Sequence, residues 1–179
     1  MSEIYQPAED SYFLSEVLKK YVFKLLKNNS NLKVLEIGCG SGIQLNTLLT
    51  LKVKKQNIFS CDINPEAIEH CKKLGFNSIK SNLFSRIKDN FDLIIFNPPY
   101  LPKDKYDQEK DTMGGKEGSE IINKFLFQSH KYLNKKGKII LLTSSLTKKV
   151  NFLKYNKKII DKKKLFFEEL YVYELWPKK

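Results

Sequence analysis

Three short stretches hold residues whose types and spacing could do chemistry. The first is Glu36-Ile37-Gly38-Cys39-Gly40-Ser41-Gly42, set between two apolar runs. Glycines at 38, 40 and 42 permit a tight turn and close approach of the backbone to a ligand. Their GxGxG spacing departs from the GxGxxG of dinucleotide sites. Glu36 stands just before the first glycine, where a carboxylate repels a pyrophosphate and suits an ammonium group or a cationic centre. The second stretch centres on Asp62, 20 residues after Gly42. An acid at that place can take both hydroxyls of an adenosine ribose, which fits NAD and S-adenosylmethionine alike. Asn64 is better placed than Asp62 to cap the helix that follows. Further on, Asn82 in Ser81-Asn82-Leu83-Phe84 is placed either to read an adenine edge or to turn the chain. The third stretch is Asn97-Pro98-Pro99-Tyr100, which ends the run Phe91–Phe96. Proline cannot donate to a sheet ladder, so the strand must stop here. That accounts for the stop, but not for the amide before it and the phenol after it.

The elements that position these residues follow from periodicity. Helical spacing of Phe13, Leu14, Val17, Leu18, Val22 and Leu25 predicts a helix over about 8–27. Strands are expected at 33–37, 57–61, 77–80, 92–96 and 137–143, with helices at 43–51, 65–74, 119–133 and 146–155. Two final strands, near 158–164 and 170–176, flank a turn at Phe166-Phe167-Glu168-Glu169. Strand–helix alternation followed by two adjacent strands implies an α/β fold. The expected sheet is seven-stranded and mostly parallel, with a C-terminal antiparallel hairpin and helices on both faces. Residues 1–179 read as one domain without a separate substrate-recognition domain. The long irregular stretch from Leu101 to Gly118, with Gly114-Gly115, is of a length that is usually functional or disordered.

Taken together, Glu-x-Gly-x-Gly-x-Gly, a strand-ending Asp and Asn-Pro-Pro-Tyr resemble the Rossmann-like class I S-adenosylmethionine-dependent methyltransferases that act on planar nitrogen. Tyr5-Gln6-Pro7-Ala8-Glu9-Asp10-Ser11, Cys61-Asp62-Ile63-Asn64-Pro65-Glu66-Ala67, Gly114-Gly115-Lys116-Glu117-Gly118 and Glu168-Glu169-Leu170-Tyr171-Val172 narrow the likeness. It is to the short archaeal and eukaryotic branch of HemK-type release-factor glutamine methyltransferases, and it runs from about Tyr5 to Leu175. The resemblance implies methylation of the side-chain nitrogen of the glutamine in the Gly-Gly-Gln motif of a class 1 translation termination factor. S-adenosyl-L-methionine would be the cofactor and S-adenosyl-L-homocysteine the product. The cofactor would touch Ser11, Glu36, Gly38, Gly40, Gly42, Asp62, Asn82, Leu83 and Asn97. Substrate would sit on Asn97, Pro98, Pro99 and Tyr100, with Asn97, Pro98 and Tyr100 as the catalytic set. Many members carry Asp where Asn82 stands, so somewhat weaker cofactor binding is expected. The family often works with a small zinc-binding activator subunit, and such a partner is an open expectation here.

That chemistry explains the residue types. An amide nitrogen is a poor nucleophile because its lone pair is delocalised. Two acceptors fixed in its plane, the Asn97 side-chain oxygen and the Pro98 carbonyl, can hold its two N–H groups and stabilise positive charge as it develops. Tyr100 forms a wall against the planar group. No strong base is required, in keeping with only two histidines, His70 and His130, both expected on helices away from the strand ends.

Composition bounds the alternatives. The net charge of +12 invites a nucleic-acid reading, but of the 32 basic residues only Arg86 is arginine. Base-edge and bidentate phosphate recognition favour arginine. The densest cluster, Lys148 to Lys164, holds eight lysines against the single acid Asp161. Three scattered cysteines, Cys39, Cys61 and Cys71, argue against both a disulfide framework and a metal site. No apolar run reaches the ~20 residues of a membrane span. The N-terminus shows no secretion signal, so no membrane association and a cytoplasmic location are expected. Rival readings are a nucleic-acid adenine methyltransferase, a protein lysine methyltransferase, a non-catalytic cofactor-binding scaffold and a dehydrogenase.

Overall fold

Short apolar runs with no polar face make strands that must be covered on both sides. In the computed structural model, which describes residues 4–102 and 116–178, these runs form the middle of one sheet. The order of elements is α1 (Glu9–Asn28), β1 (Val34–Ile37), α2 (Ile43–Thr50), β2 (Ile58–Asp62), α3 (Pro65–Lys73), β3 (Asn77–Lys80), β4 (Phe91–Phe96), α4 (Glu120–Ser129), β5 (Leu133–Ser144), β6 (Tyr155–Lys164) and β7 (Glu169–Pro177). The seven strands lie in the order β3-β2-β1-β4-β5-β7-β6. β3, β2, β1, β4 and β5 run parallel, and β7 is antiparallel to both of its neighbours. This is the expected architecture, with helices packed around the sheet.

Every residue of β1 is buried, and β4 is buried at all positions but Asp92. Phe96 at the end of β4 packs on Phe125 of α4 with ring centroids 4.7 Å apart, and Phe125 stacks on Phe84 beyond β3. α1 buries Leu14, Val17, Leu18 and Val22 and lies against α2. Gln44 of α2 fixes the first turn of α1. Its Nε2 donates to the Ser11 carbonyl at 2.8 Å, and its Oε1 accepts from the Ser15 hydroxyl at 2.9 Å. The start of α1 is thereby held near the glycine loop that opens α2.

Two expectations need correction. No helix forms over 146–155; the segment is turns and irregular chain until β6 begins at Tyr155. Its backbone groups find partners elsewhere, which competes with helix formation. Lys148 N–H donates to the Glu117 carbonyl, and Asn123 Oδ1 accepts from Asn151 N–H. The Asn151 side chain accepts from Leu153 N–H, and Lys149 takes φ +59°. The apolar spacing that suggested a helix is not a buried stripe, since Leu146 and Leu153 are exposed. The helix expected over 119–133 ends at Ser129. A single 3-10 turn, His130–Tyr132, leads into a twelve-residue β5 that starts at Leu133, where it pairs with Phe91.

β6 is an edge strand. Its lysines at 157, 158, 162, 163 and 164 account for much of the basic cluster, and charged side chains on an edge discourage pairing with another chain. Among the described residues no helix is long and apolar enough to cross a membrane. Gly114-Gly115 lie outside the described residues.

Candidate active site

Strands end where their hydrogen-bonding pattern is broken, and in a parallel sheet those ends gather at one edge. Here the carboxyl ends of β1, β2, β3 and β4 and the start of α1 enclose a cavity of about 300 Å³. Ser11, Glu36, Gly38, Gly40, Asp62, Asn82, Leu83, Asn97, Pro98, Pro99 and Tyr100 all line it. Residues separated by most of the chain therefore meet in one place. Gly42 does not line it. It takes φ +76° at the start of α2, and a Cβ there would stand 3.3 Å from Cys71 Sγ and 3.4 Å from Leu74. Its glycine serves the turn and the packing of α3.

The glycine loop is built by the second strand. Gly38 and Cys39 N–H both donate to the Cys61 carbonyl, at 2.7 and 3.2 Å. Asp62 grips the loop from beneath, its Oδ2 accepting from Gly40 N–H at 3.0 Å. Its Oδ1 accepts from Asn64 N–H at 2.9 Å, while Asn64 caps α3 through Glu66 N–H as expected. Gly38 and Gly40 take positive φ of 71° and 46°, a conformation that favours glycine. His70 of α3 donates from Nε2 to the Ser41 carbonyl at 3.2 Å. It therefore neighbours this loop, contrary to the expectation that neither histidine would, and its role there is to hold backbone.

Glu36 is 3% exposed and its Oε2 has no hydrogen-bond partner. Burial, then the nearby Cys71 and Asp62, push its carboxyl well above the usual carboxylate range. A buried acid with an unused oxygen at a cavity wall fits a ligand that brings positive charge. At the end of β3, Ser81 Oγ donates to the Leu83 carbonyl at 2.9 Å, and the Asn82 carbonyl accepts from Ser85 N–H at 3.1 Å. Asn82 thus turns the chain with its side chain exposed beside the cavity. Leu83 is buried with φ +50°, a strained choice for a residue with a Cβ and one that clusters at functional sites.

Asn97 shows the sharpest polarity. Its Nδ2 donates to Asp10 Oδ2 at 2.8 Å, whereas its Oδ1 is buried without a partner. Tyr100 is 9% exposed at the cavity wall. Burial, then the charges of Asp10 and Glu168, push its phenol up, so it stays protonated. The loop that carries it is fixed from behind, where Thr147 Oγ1 donates to the Tyr100 carbonyl at 2.9 Å. Gly118 takes φ +78°, and a Cβ there would overlap that same carbonyl oxygen. The charged contact of Asp10 was not foreseen. An acid in a first helical turn reads as a helix-start residue favoured by the dipole, and nothing local in the sequence signals a partner 87 residues away.

The fold and this site define an S-adenosylmethionine-dependent class I methyltransferase. The methyltransferase small domain family matches residues 17–164. A Methanocaldococcus jannaschii protein, assigned provisionally as a protein N5-glutamine methyltransferase, is 36% identical over 97% of this chain and 92% of its own length. Fission yeast eRF1 methyltransferase catalytic subunit mtq2 is 30% identical over 75% of this chain and 70% of its own. Human methyltransferase HEMK2 is 29% identical over 79% and 72%. Among solved structures, the Encephalitozoon cuniculi Mtq2–Trm112 complex aligns with a TM-score of 0.71 over 97% of this chain and 98% of the matched one, at 24% identity, which bears on the fold. The chain belongs to the methyltransferase small domain family and, within it, to the HemK-like glutamine methyltransferases.

Proposed function

We propose that this enzyme methylates the side-chain amide of the glutamine in the Gly-Gly-Gln motif of a class 1 translation termination factor. The observation that carries the reading is the unpartnered, buried Oδ1 of Asn97 at the cavity wall, with its Nδ2 engaged elsewhere. Such an oxygen suits an N–H donor, and a primary amide presents two of them. The relatives point the same way. Fission yeast mtq2 is named for eRF1, and the Encephalitozoon structure is described as responsible for methylation of the eRF1 termination factor. That structure is a complex with Trm112, which supports a small activator subunit as partner of this chain too, one we propose to bind zinc. A substrate of the translation machinery supports a cytoplasmic location for the enzyme.

When bound, S-adenosyl-L-methionine supplies a methyl group on a positively charged sulfur and leaves as S-adenosyl-L-homocysteine. Glu36 and the backbone of Gly38 and Gly40 would hold its amino-acid end together with Ser11. Asp62 would take the ribose hydroxyls, and Asn82 and Leu83 would flank the adenine. Asn97 Oδ1 and the Pro98 carbonyl accept the two amide N–H groups of the substrate and hold its nitrogen in one plane. The same two oxygens stabilise the positive charge that builds on nitrogen. Tyr100 and Pro99 close the sides of the acceptor pocket. The nitrogen then loses its proton to solvent, with no side chain needed as base.

Asn97→Ala tests the positioning step. Transfer is expected to fall by roughly 100-fold or more, the cost of deleting one preorganised polar group from a reacting centre. Cofactor affinity, measured by calorimetry, should fall far less than transfer. Near-normal turnover in this variant would remove amide positioning from the mechanism.

A further inference from the structure

Asp10 is a buried acid, 5% exposed, that faces the cavity and has no role in the mechanism as described so far. Its two oxygens are divided between two tasks. Oδ1 accepts from Tyr5 Oη at 3.1 Å, Ser11 N–H at 2.6 Å and Ser11 Oγ at 3.2 Å. Oδ2 accepts from Asn97 Nδ2 at 2.8 Å. An asparagine amide has two ends of nearly equal shape and opposite polarity, so what one end bonds decides what the other end offers. A carboxylate only accepts, and Asp10 can therefore engage only the Nδ2 end of Asn97. The oxygen end is left buried and unpartnered, on a residue that lines the cavity.

We propose that Asp10 is a specificity-determining positioning residue: by holding Asn97 Nδ2 it fixes Asn97 Oδ1 toward the acceptor, so that the site takes a glutamine amide and rejects the carboxylate of a glutamate in the same place. This rests on the glutamine reading of the acceptor pocket. Were Asn97 free to rotate, its NH2 group would face the acceptor and the preference would reverse, since an NH2 welcomes a carboxylate and repels an N–H. Asparagine at position 10 cannot do the same work. It has one acceptor oxygen where Asp10 has two, so it satisfies either Ser11 N–H or Asn97 Nδ2 and turns a donor toward the other.

The test compares wild type, Asp10→Asn and Asp10→Ala, each loaded with S-adenosyl-L-homocysteine. Affinity is measured for the termination factor carrying Gln or Glu in its Gly-Gly-Gln motif, with the activator subunit present. Wild type is expected to prefer Gln. In both variants the Gln-over-Glu ratio is expected to fall by about tenfold or more, the consequence of one mismatched buried polar contact. A purely structural role for Asp10 would weaken both factors alike, and a ratio equal to wild type in a variant that still binds overturns the proposal. A second readout does not depend on the acceptor. Hydrogen exchange of the Asn97 side-chain amide, followed by NMR, should be protected in wild type and unprotected in Asp10→Ala. Protection that persists in Asp10→Ala also overturns the proposal. If wild type shows no preference for Gln, the glutamine reading falls, and the amide exchange still decides what Asp10 does.

Discussion

At the scale of single residues, Glu36 has the clearest consequences. Burial raises its carboxyl well above the ordinary value. Between the ordinary and the raised value, the folded chain keeps a proton that the unfolded chain has lost, so ligand-free stability falls as pH rises through that interval. Below the ordinary value both states are protonated and the effect vanishes. Glu36→Gln removes the penalty. The ligand-free variant is therefore expected to melt above wild type at neutral pH, with the difference closing toward pH values below the usual carboxylate range. Its affinity for S-adenosyl-L-methionine should fall by about tenfold or more, as expected for losing a charge-assisted contact. Wild-type affinity should tighten with rising pH, because Glu36 must ionise to meet a cationic ligand. Thermal melts with and without cofactor across pH, joined to calorimetry, check all three statements. A lower melting point for the ligand-free variant with unchanged affinity would take Glu36 out of the cofactor site.

At the scale of elements, the Asn-Pro-Pro-Tyr loop depends on Gly118. Its φ of +78° and the overlap of any Cβ with the Tyr100 carbonyl leave no room for a side chain without moving the loop. Gly118→Ala should cost about 1–3 kcal/mol of stability, as strain and forced displacement commonly do. Turnover should drop more than cofactor affinity, and parallel urea melts and binding measurements separate the two. Much of this organisation was legible in the sequence. β1 and β4 are short apolar runs broken only by Glu36 and Asp92, and the glycines, Asp62 and the prolines each stand where a strand must end. Gly42 lies outside the cavity lining, and the pattern GxGxG does not say which glycine faces the cavity and which faces α3. The helix expected over 146–155 does not form: the apolar spacing there mimics a helix, while the backbone is bonded to Glu117 and Asn123 across the chain. Asp10 was missed for the same reason. Its partner Asn97 is remote in sequence, and only the docking of α1 on α2 through Gln44 brings the two together.

At the scale of the whole molecule, a net charge of +12 bears on encounter and not on fold. Five of the 32 basic residues are lysines on the exposed edge strand β6, and they lie on the sheet edge opposite β3. The chemistry is concentrated at the carboxyl ends of the parallel strands, in one cavity with a buried, ionisable carboxyl at Glu36 and a hydrogen-bond acceptor at Asn97. A planar amide and a sulfonium cofactor satisfy both features at once, which a dinucleotide does not. The most direct measurement is transfer of a labelled methyl group from S-adenosyl-L-methionine to the matching termination factor, with a Trm112-type subunit supplied. The factor is offered with its Gly-Gly-Gln glutamine intact or replaced by Asn. Label on the intact factor alone is the expected result. Label on neither, with cofactor bound and the activator present, and label instead on tRNA or duplex DNA, would contradict the glutamine assignment.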